Sequence, residues 1–174
     1  MDRFNFSSIP FQEPKFHRTR AEIPDDIRIQ IVELLNQSLA DTINLKSQIL
    51  QTIWHVRGIH FYQFYLLFEE IAEQLDEQIM LITDRISALA STPLLTARIV
   101  ARHSQLPELT FNNSDPAETL EALTQSLSVN GRSTRFAIEQ TTDMDDAVTA
   151  NIYTKLCRVV DYHLWLLESH CITD

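Results

Sequence analysis

The sequence predicts an all-α fold with four long helices. Only two glycines, Gly58 and Gly131, occur in 174 residues, whereas average usage of about 7% would supply roughly a dozen. Hairpin turns and nucleotide-binding loops both depend on glycine, so its scarcity argues against turn-rich β folds and against dinucleotide or phosphate loops. Apolar residues also recur at helical spacing over long stretches. We therefore expect one helical domain at residues 25–174, preceded by an arm at residues 1–24.

The arm and the first helix meet at Pro24. Residues 1–24 contain three prolines and show no helical period, so they are predicted to be extended. Asp25 and Asp26 follow directly, and we expect them to cap the first helix and to complement its positive end. Apolar residues then continue at helical spacing to Ile53, which predicts a helix of about 28 residues.

The second helix shows the strongest period of the chain. Its apolar residues run from Phe61 to Leu89 in alternating steps of three and four. The dipeptide at Thr92 and Pro93 is expected to end it, because the residue before a proline disfavours helix. Leu94–Ala101 is then predicted to form one or two turns of a connecting helix.

The third and fourth helices complete the predicted bundle. An acceptor at Asp115 followed by Pro116 is a strong helix start. Asn130-Gly131 would also suit a hairpin turn, but the flanking apolar residues keep helical spacing, so an unbroken third helix is expected. A last helix from Val148 to about His170 gives a four-helix bundle whose second and third helices are joined by a long crossover.

Composition limits the classes of function. Because the formal net charge is -10, binding to nucleic-acid phosphates is disfavoured, and Lys15, Arg18 and Arg20 of the arm offer few phosphate contacts. Cys157 and Cys171 form no CxxC pair, which excludes a zinc ribbon and predicts reduced thiols. There is neither an apolar run of about 18 to 20 residues nor a secretory signal, so we expect a soluble, cytoplasmic protein with no membrane contact.

Several runs of residues carry a likeness to a known family. They lie at the junction of the first two helices, within the second helix and in the last helix: Trp54–Phe61, Phe68–Glu70, Asp84–Ile86, Asp146–Asn151 and His163–His170. Over about residues 25–170 the chain resembles the Dps family, the twelve-subunit mini-ferritins. The resemblance implies a ferritin-like four-helix bundle with a short helix in the crossover. It also implies a homododecameric shell, iron storage and protection against oxidative stress.

The resemblance further implies an iron-oxidising site shared between two subunits. Two His and one carboxylate come from one chain, and two carboxylates come from the other. Transfer of this spacing places Ile53 and Tyr65 at the two His positions and retains Glu69 as the acid. On the other side Met80 replaces an acid, and Asp84 retains the last carboxylate. Glu69 and Asp84 are therefore the candidate metal ligands.

The chemistry of these side chains predicts an impaired site. An aliphatic group cannot coordinate iron, a thioether is a poor ligand for it, and a neutral phenol is a weak one. A relocated site that uses Asp76, His55 or His60 is an alternative. Residue 55 lies about 200° around a helix from residue 53, so His55 is not a direct replacement. The sequence does not decide whether the protein is a ferroxidase.

Two acidic features have alternative interpretations. Asp145 and Asp146 precede the last helix, where the resemblance implies an iron-entry pore, although helix N-terminal charge explains them equally well. The run from Glu69 to Glu77 is acidic, which is typical of a solvated surface but would also suit mineral nucleation inside a shell. We expect His163 and Trp165 to be packing residues.

Three functional hypotheses follow. The first is a mini-ferritin that binds and stores iron with an atypical oxidation centre. The alternative is a non-catalytic, shell-forming homologue that is structural or binds another metal. DNA binding is a weaker third, because the arm is not rich in lysine. All three include a homo-oligomer, since the second helix has too many large apolar groups for one buried face: Phe61, Tyr62, Phe64, Tyr65, Leu67 and Phe68.

Overall fold

The structure is a computed structural model and describes residues 14–109 and 116–171. Its helices are α1 (Asp25–His55), α2 (Phe61–Ala88), α3 (Ala97–His103), α4 (Pro116–Asp143) and α5 (Ala147–Cys171). The predicted all-α fold is confirmed, and α3 is the short helix of the crossover, although it begins three residues later than expected. The predicted unbroken third helix is also confirmed, because α4 continues through Asn130 and Gly131.

The four long helices enclose a core with two buried clusters. One cluster lies around Ile49, Phe68 and Leu127, and the other lies around Leu35 and Tyr153. Both form because apolar residues spaced by three and four positions share one face of each helix. The α1 and α2 helices pack closely against each other, as do α4 and α5. A surface groove lies between α1 and α2, and three of the predicted metal-site positions line it.

The described part of the arm is attached to the end of α2. Phe16 forms an isolated β-bridge with Ser91, and the Arg28 guanidinium lies 5.4 Å from the centre of the Phe16 ring. The prediction that Asp25 caps α1 is wrong, because Pro24 occupies the N-cap and no side chain caps the helix. The Asp25 carboxylate instead accepts a 2.7 Å hydrogen bond from Arg28, so local charge pairing prevails over capping.

Several expectations fall on residues outside the described ranges. The arm before residue 14 and the predicted cap at Asp115 both lie there, as does the side chain of Cys171. Cys157 is buried and forms no disulfide. Among residues 14–109 and 116–171, no helix has the combination of length and apolar character that crossing a bilayer requires.

Candidate metal centre

Three of the predicted site positions meet in a groove between α1 and α2. Ile53 of α1 and Tyr65 and Glu69 of α2 line a surface cavity of about 260 Å³. Ile53 is only 4% exposed, since most of its side chain packs into the core. Where the resemblance implies an imidazole, the groove therefore presents an aliphatic wall that donates no lone pair.

Tyr65 and Glu69 are engaged with each other. The Tyr65 hydroxyl donates a 2.5 Å hydrogen bond to Oε1 of Glu69, one helical turn further along α2. This bond to a carboxylate, followed by burial and the charge of Glu69, raises the pKa of Tyr65 above its ordinary value. The phenol therefore stays protonated at neutral pH and is a weak metal ligand. The same bond occupies one oxygen of the retained acid.

Met80 and Asp84 belong to the other end of α2. Both are exposed, and Met80 has 59% of its surface accessible. Asp84 follows Glu69 by fifteen residues, which separates the two by about 22 Å along a helix that rises 1.5 Å per residue. One chain therefore does not bring Glu69 and Asp84 together. Any site that uses both would join Glu69 of one copy to Asp84 of another.

The structure gives no support to a relocated site around Asp76. Asp76 lines the groove, but neither His55 nor His60 is among the described residues that line it. His60 lies at the N-terminal end of α2 and is exposed. Within the described part of the chain, no three His, Cys, Asp or Glu side chains are grouped so that they would hold a metal ion.

The two candidate pore aspartates have different environments. Asp145 is exposed, has a positive φ of 57°, and lines a cavity of about 560 Å³ together with Lys155 and Arg158. Asp146 is buried and accepts hydrogen bonds of 2.9 and 2.8 Å from Nη2 of Arg85. The pore prediction therefore rests on Asp145 alone, and the cations beside it reduce the attraction of its cavity for metal ions.

Asp146 directly precedes α5 and ties that helix to α2. Its carboxylate accepts the N–H of Thr149 at 3.0 Å and also the Thr149 hydroxyl. Burial raises the pKa of this carboxyl, but the hydrogen bonds from Thr149 and Arg85 outweigh burial and hold the pKa below its ordinary value. The charged form of Asp146 is thus a structural element of the bundle.

The aromatic run in α5 is divided between core and surface. His163 is 1% exposed, and its Nε2 lies 2.9 Å from Oε1 of Gln74 on α2. Burial lowers the pKa of His163, and the charge of Glu70 opposes this effect only in part. The packing prediction thus agrees with the structure for His163. It is wrong for Trp165 within one chain, because 59% of that side chain is accessible.

One residue of the groove was not expected from the sequence. Lys46 of α1 lines the same cavity as Glu69, and its Nζ lies 2.6 Å from each carboxylate oxygen of Asp76. The two residues are thirty positions apart in the chain. Only the α1–α2 packing brings them together, so no local pattern could have indicated the pair.

Comparison with known proteins places the chain in a family. The ferritin-like domain family matches residues 32–173. The DNA protection during starvation protein 1 of Deinococcus radiodurans is 31% identical over 145 residues, covering 80% of this chain and 67% of that protein. The chain belongs to the Dps family of ferritin-like proteins. The DNA protection during starvation protein of Agrobacterium fabrum is 28% identical over 156 residues, covering 90% of this chain and 96% of its own length.

The solved structures agree with the Dps assignment at the level of fold. DpsC from Streptomyces coelicolor superposes with a TM-score of 0.87 at 22% identity, covering 95% of this chain and 98% of that one. The sequence resemblance to the Dps family is therefore confirmed, and the chain is a Dps-like mini-ferritin. Against the donor set that the sequence resemblance implies, the chain differs at Ile53 and Tyr65 in the groove and at Met80 on the other end of α2.

Proposed function

We propose that this Dps-family chain assembles into a hollow homododecamer that takes up ferrous iron and oxidises it slowly. Its contribution to iron homeostasis and to oxidative-stress protection would then come from sequestering iron more than from rapid turnover. The observation that carries the proposal is the donor set of the groove between α1 and α2. Ile53 and Tyr65 stand where the resemblance implies two imidazoles, and of the three implied positions on that side only Glu69 keeps its carboxylate.

Slow oxidation follows from the ligand chemistry. Ferrous iron is bound best by imidazole and carboxylate donors, and an alkyl wall with a protonated phenol replaces two of them. Glu69 and Asp84 supply one carboxylate from each of two chains, which is too few donors to hold a pair of ions in fixed positions. The fold of each chain does not depend on these donors, because its helices pack through their apolar faces.

Stopped-flow oxidation of ferrous iron by hydrogen peroxide tests this proposal. The wild-type assembly is compared with the triple variant Ile53→His, Tyr65→His, Met80→Asp, which restores the implied donors. We expect the variant to oxidise iron at least about tenfold faster, a barrier lower by about 1.4 kcal/mol. A wild-type rate equal to that of a mini-ferritin with all five donors would contradict the ligand argument.

The alternative is a shell-forming protein without redox activity, or one that binds another metal. The hydrogen bond between Tyr65 and Glu69 favours it, because this bond engages the retained acid in the absence of metal. Crystals soaked in ferrous iron, zinc or manganese separate the two candidates by anomalous diffraction. A fully occupied metal between Glu69 of one copy and Asp84 of another would exclude the inert candidate.

Assembly with further copies is supported by the apolar surface that α1 and α2 leave exposed. Trp54 is 73% exposed, Tyr62 66% and Leu66 48%. Large apolar side chains that are this exposed are typical of an interface. Light scattering of the purified protein tests this point: twelve times the 20.1 kDa chain mass is expected, and a monomeric mass would contradict it.

DNA binding is expected to be weak, although the names of the relatives refer to DNA protection. Lys15, Arg18 and Arg20 are exposed on the described part of the arm. Three phosphate contacts on a chain of net charge -10 give a weak affinity, which added salt lowers further. A mobility-shift assay at physiological salt should show no saturable binding. A cytoplasmic location likewise stays a prediction.

A further inference from the structure

The cavity that contains Asp145 has an excess of positive charge. It measures about 560 Å³ and lies between the C-terminal end of α4 and the N-terminal half of α5. Among the described residues that line it, Lys155 and Arg158 are the cations and Asp145 is the acid. The fixed charge of this lining is therefore positive, in a chain whose formal net charge is -10.

The hydrogen-bond donors of the cavity share one face of α5. Asn151, Lys155 and Arg158 follow one another in steps of four and three residues, so their side chains lie on the same side of the helix. All three are exposed. Within the described part of the chain, neither Lys155 nor Arg158 forms an ion pair with a carboxylate. A carboxamide, an ammonium group and a guanidinium group are therefore available as donors along one edge of the cavity.

The remaining polar groups do not change this charge balance. The hydroxyls of Thr142 and Thr154 donate hydrogen bonds to backbone carbonyls of their own helices, so they do not pair with the cations. Asp146 is not among the described residues that line the cavity, and its charge is paired with Arg85. Asp145 is thus the one carboxylate of the described lining, and an anion that enters the cavity meets two unpaired cations.

We propose that this cavity binds a phosphate-class oxyanion through Asn151, Lys155 and Arg158. A guanidinium group matches the oxygens of a phosphate with two parallel hydrogen bonds, and an ammonium group adds a compact charge. A metal ion in the same place would meet two repelling cations and one carboxylate. The expected ligand is free inorganic phosphate. A nucleic-acid backbone would need more cations than these two to overcome a net charge of -10.

The inference gives the region of Asp145 a role different from the one that the sequence resemblance implied. An acidic pore attracts cations, whereas the cavity of this chain is expected to attract anions. The inference does not depend on the proposed function, because no part of it involves iron or the groove between α1 and α2. The rate of iron oxidation, whether slow or rapid, therefore does not bear on it.

The test is equilibrium dialysis of the assembled full-length protein against radiolabelled inorganic phosphate at fixed pH and ionic strength. Wild type should bind phosphate saturably. Lys155→Gln and Arg158→Gln should each weaken binding about fivefold, because each removes one attracting charge at about contact distance in a watery cavity. Asp145→Asn should tighten binding by about twofold or more, because it removes the opposing charge. Opposite signs for the two kinds of variant are the signature of an anion site.

Three controls separate the cavity from general effects of charge. Lys155→Arg keeps the charge and should bind phosphate as wild type does. Arg57→Gln removes an equal charge from the opposite end of the bundle, because the 5.4 Å contact between the rings of Phe64 and His170 places the end of α5, and not its start, beside the α1–α2 junction. This variant should also bind as wild type does. A short DNA duplex at the same phosphate concentration should not displace the labelled phosphate.

Each contrary result overturns the inference. Absence of saturable binding in wild type, or unchanged binding in both Lys155→Gln and Arg158→Gln, would show that these cations do not form an anion site. Weaker binding in Asp145→Asn would contradict the assigned role of that charge. An equal loss in Arg57→Gln would assign the effect to net charge, and displacement by the duplex would assign the site to nucleic acid. The substituted side chains are all exposed, so the variants are expected to fold as wild type does.

Discussion

Replacing Asp146 with asparagine should destabilise the bundle strongly. The side chains of Arg85 and Asp146 are only 12% and 4% exposed, so the ion pair between α2 and α5 is largely removed from water. Removing one partner of such a pair leaves an uncompensated buried charge, which costs about 3 to 5 kcal/mol. Asparagine still accepts the N–H of Thr149, so we expect a loss near the lower value, about 3 kcal/mol.

The assay is urea unfolding followed by far-ultraviolet circular dichroism at a fixed protein concentration, because assembly contributes to apparent stability. For a chain of this size, 3 kcal/mol also lowers the melting temperature by about 6 to 12 °C. Asp145→Asn is the matched control, because Asp145 is exposed and asparagine tolerates its positive φ. The control should stay within about 0.5 kcal/mol of wild type.

The same pair predicts a dependence on pH. The pKa of Asp146 is held below its ordinary value, so its stabilising effect is complete above about pH 4 and is lost as the pH falls through the folded-state pKa. The difference between wild type and Asp146→Asn should therefore shrink in acid. A loss below about 1 kcal/mol at pH 7, or an equal loss in Asp145→Asn, would refute the reasoning.

Three further predictions concern the core and the junction of α1 and α2. Tyr153→Phe should cost about 0.5 to 1.5 kcal/mol in urea unfolding, because the buried Tyr153 hydroxyl accepts a 3.1 Å hydrogen bond from Ser38; no loss would contradict this. Since burial lowers the pKa of His163, stability should fall as the pH drops below about 6.5, the unfolded value, towards the folded-state pKa. His163→Gln should flatten that part of the pH profile, and an unchanged profile would assign the dependence elsewhere. Gly58→Ala should cost about 1 kcal/mol despite open space around Gly58, because its φ is +110°, and a neutral result in thermal unfolding would disprove the strain.

The helices were predictable because their signals are local. Apolar residues three and four positions apart predict α2 from Phe61 onward. The same spacing on both sides of Gly131 predicts that α4 continues through it. The start of α1 was predicted at the right place but for the wrong reason. The Asp25 carboxylate forms an ion pair with Arg28, one turn later in α1. The sequence does not show that this ion pair is preferred to a capping hydrogen bond.

Only the positions of the site residues could be predicted, and not the burial or the ion pairs around them. The resemblance to the Dps family implied that Ile53, Tyr65 and Glu69 belong to one site, and in the structure they line one groove. The burial of Asp146 and the Lys46–Asp76 pair depend on contacts between residues thirty or more positions apart. Such contacts follow from how the helices pack, so the charge of the groove became visible only in three dimensions.

Anomalous diffraction at the iron edge, from wild-type crystals grown with ferrous iron in the absence of oxygen, tests the altered centre most directly. The account predicts no pair of well-occupied ions in the groove lined by Ile53 and Tyr65. Two ordered iron ions there, held between Glu69 of one copy and Asp84 of another, would contradict it.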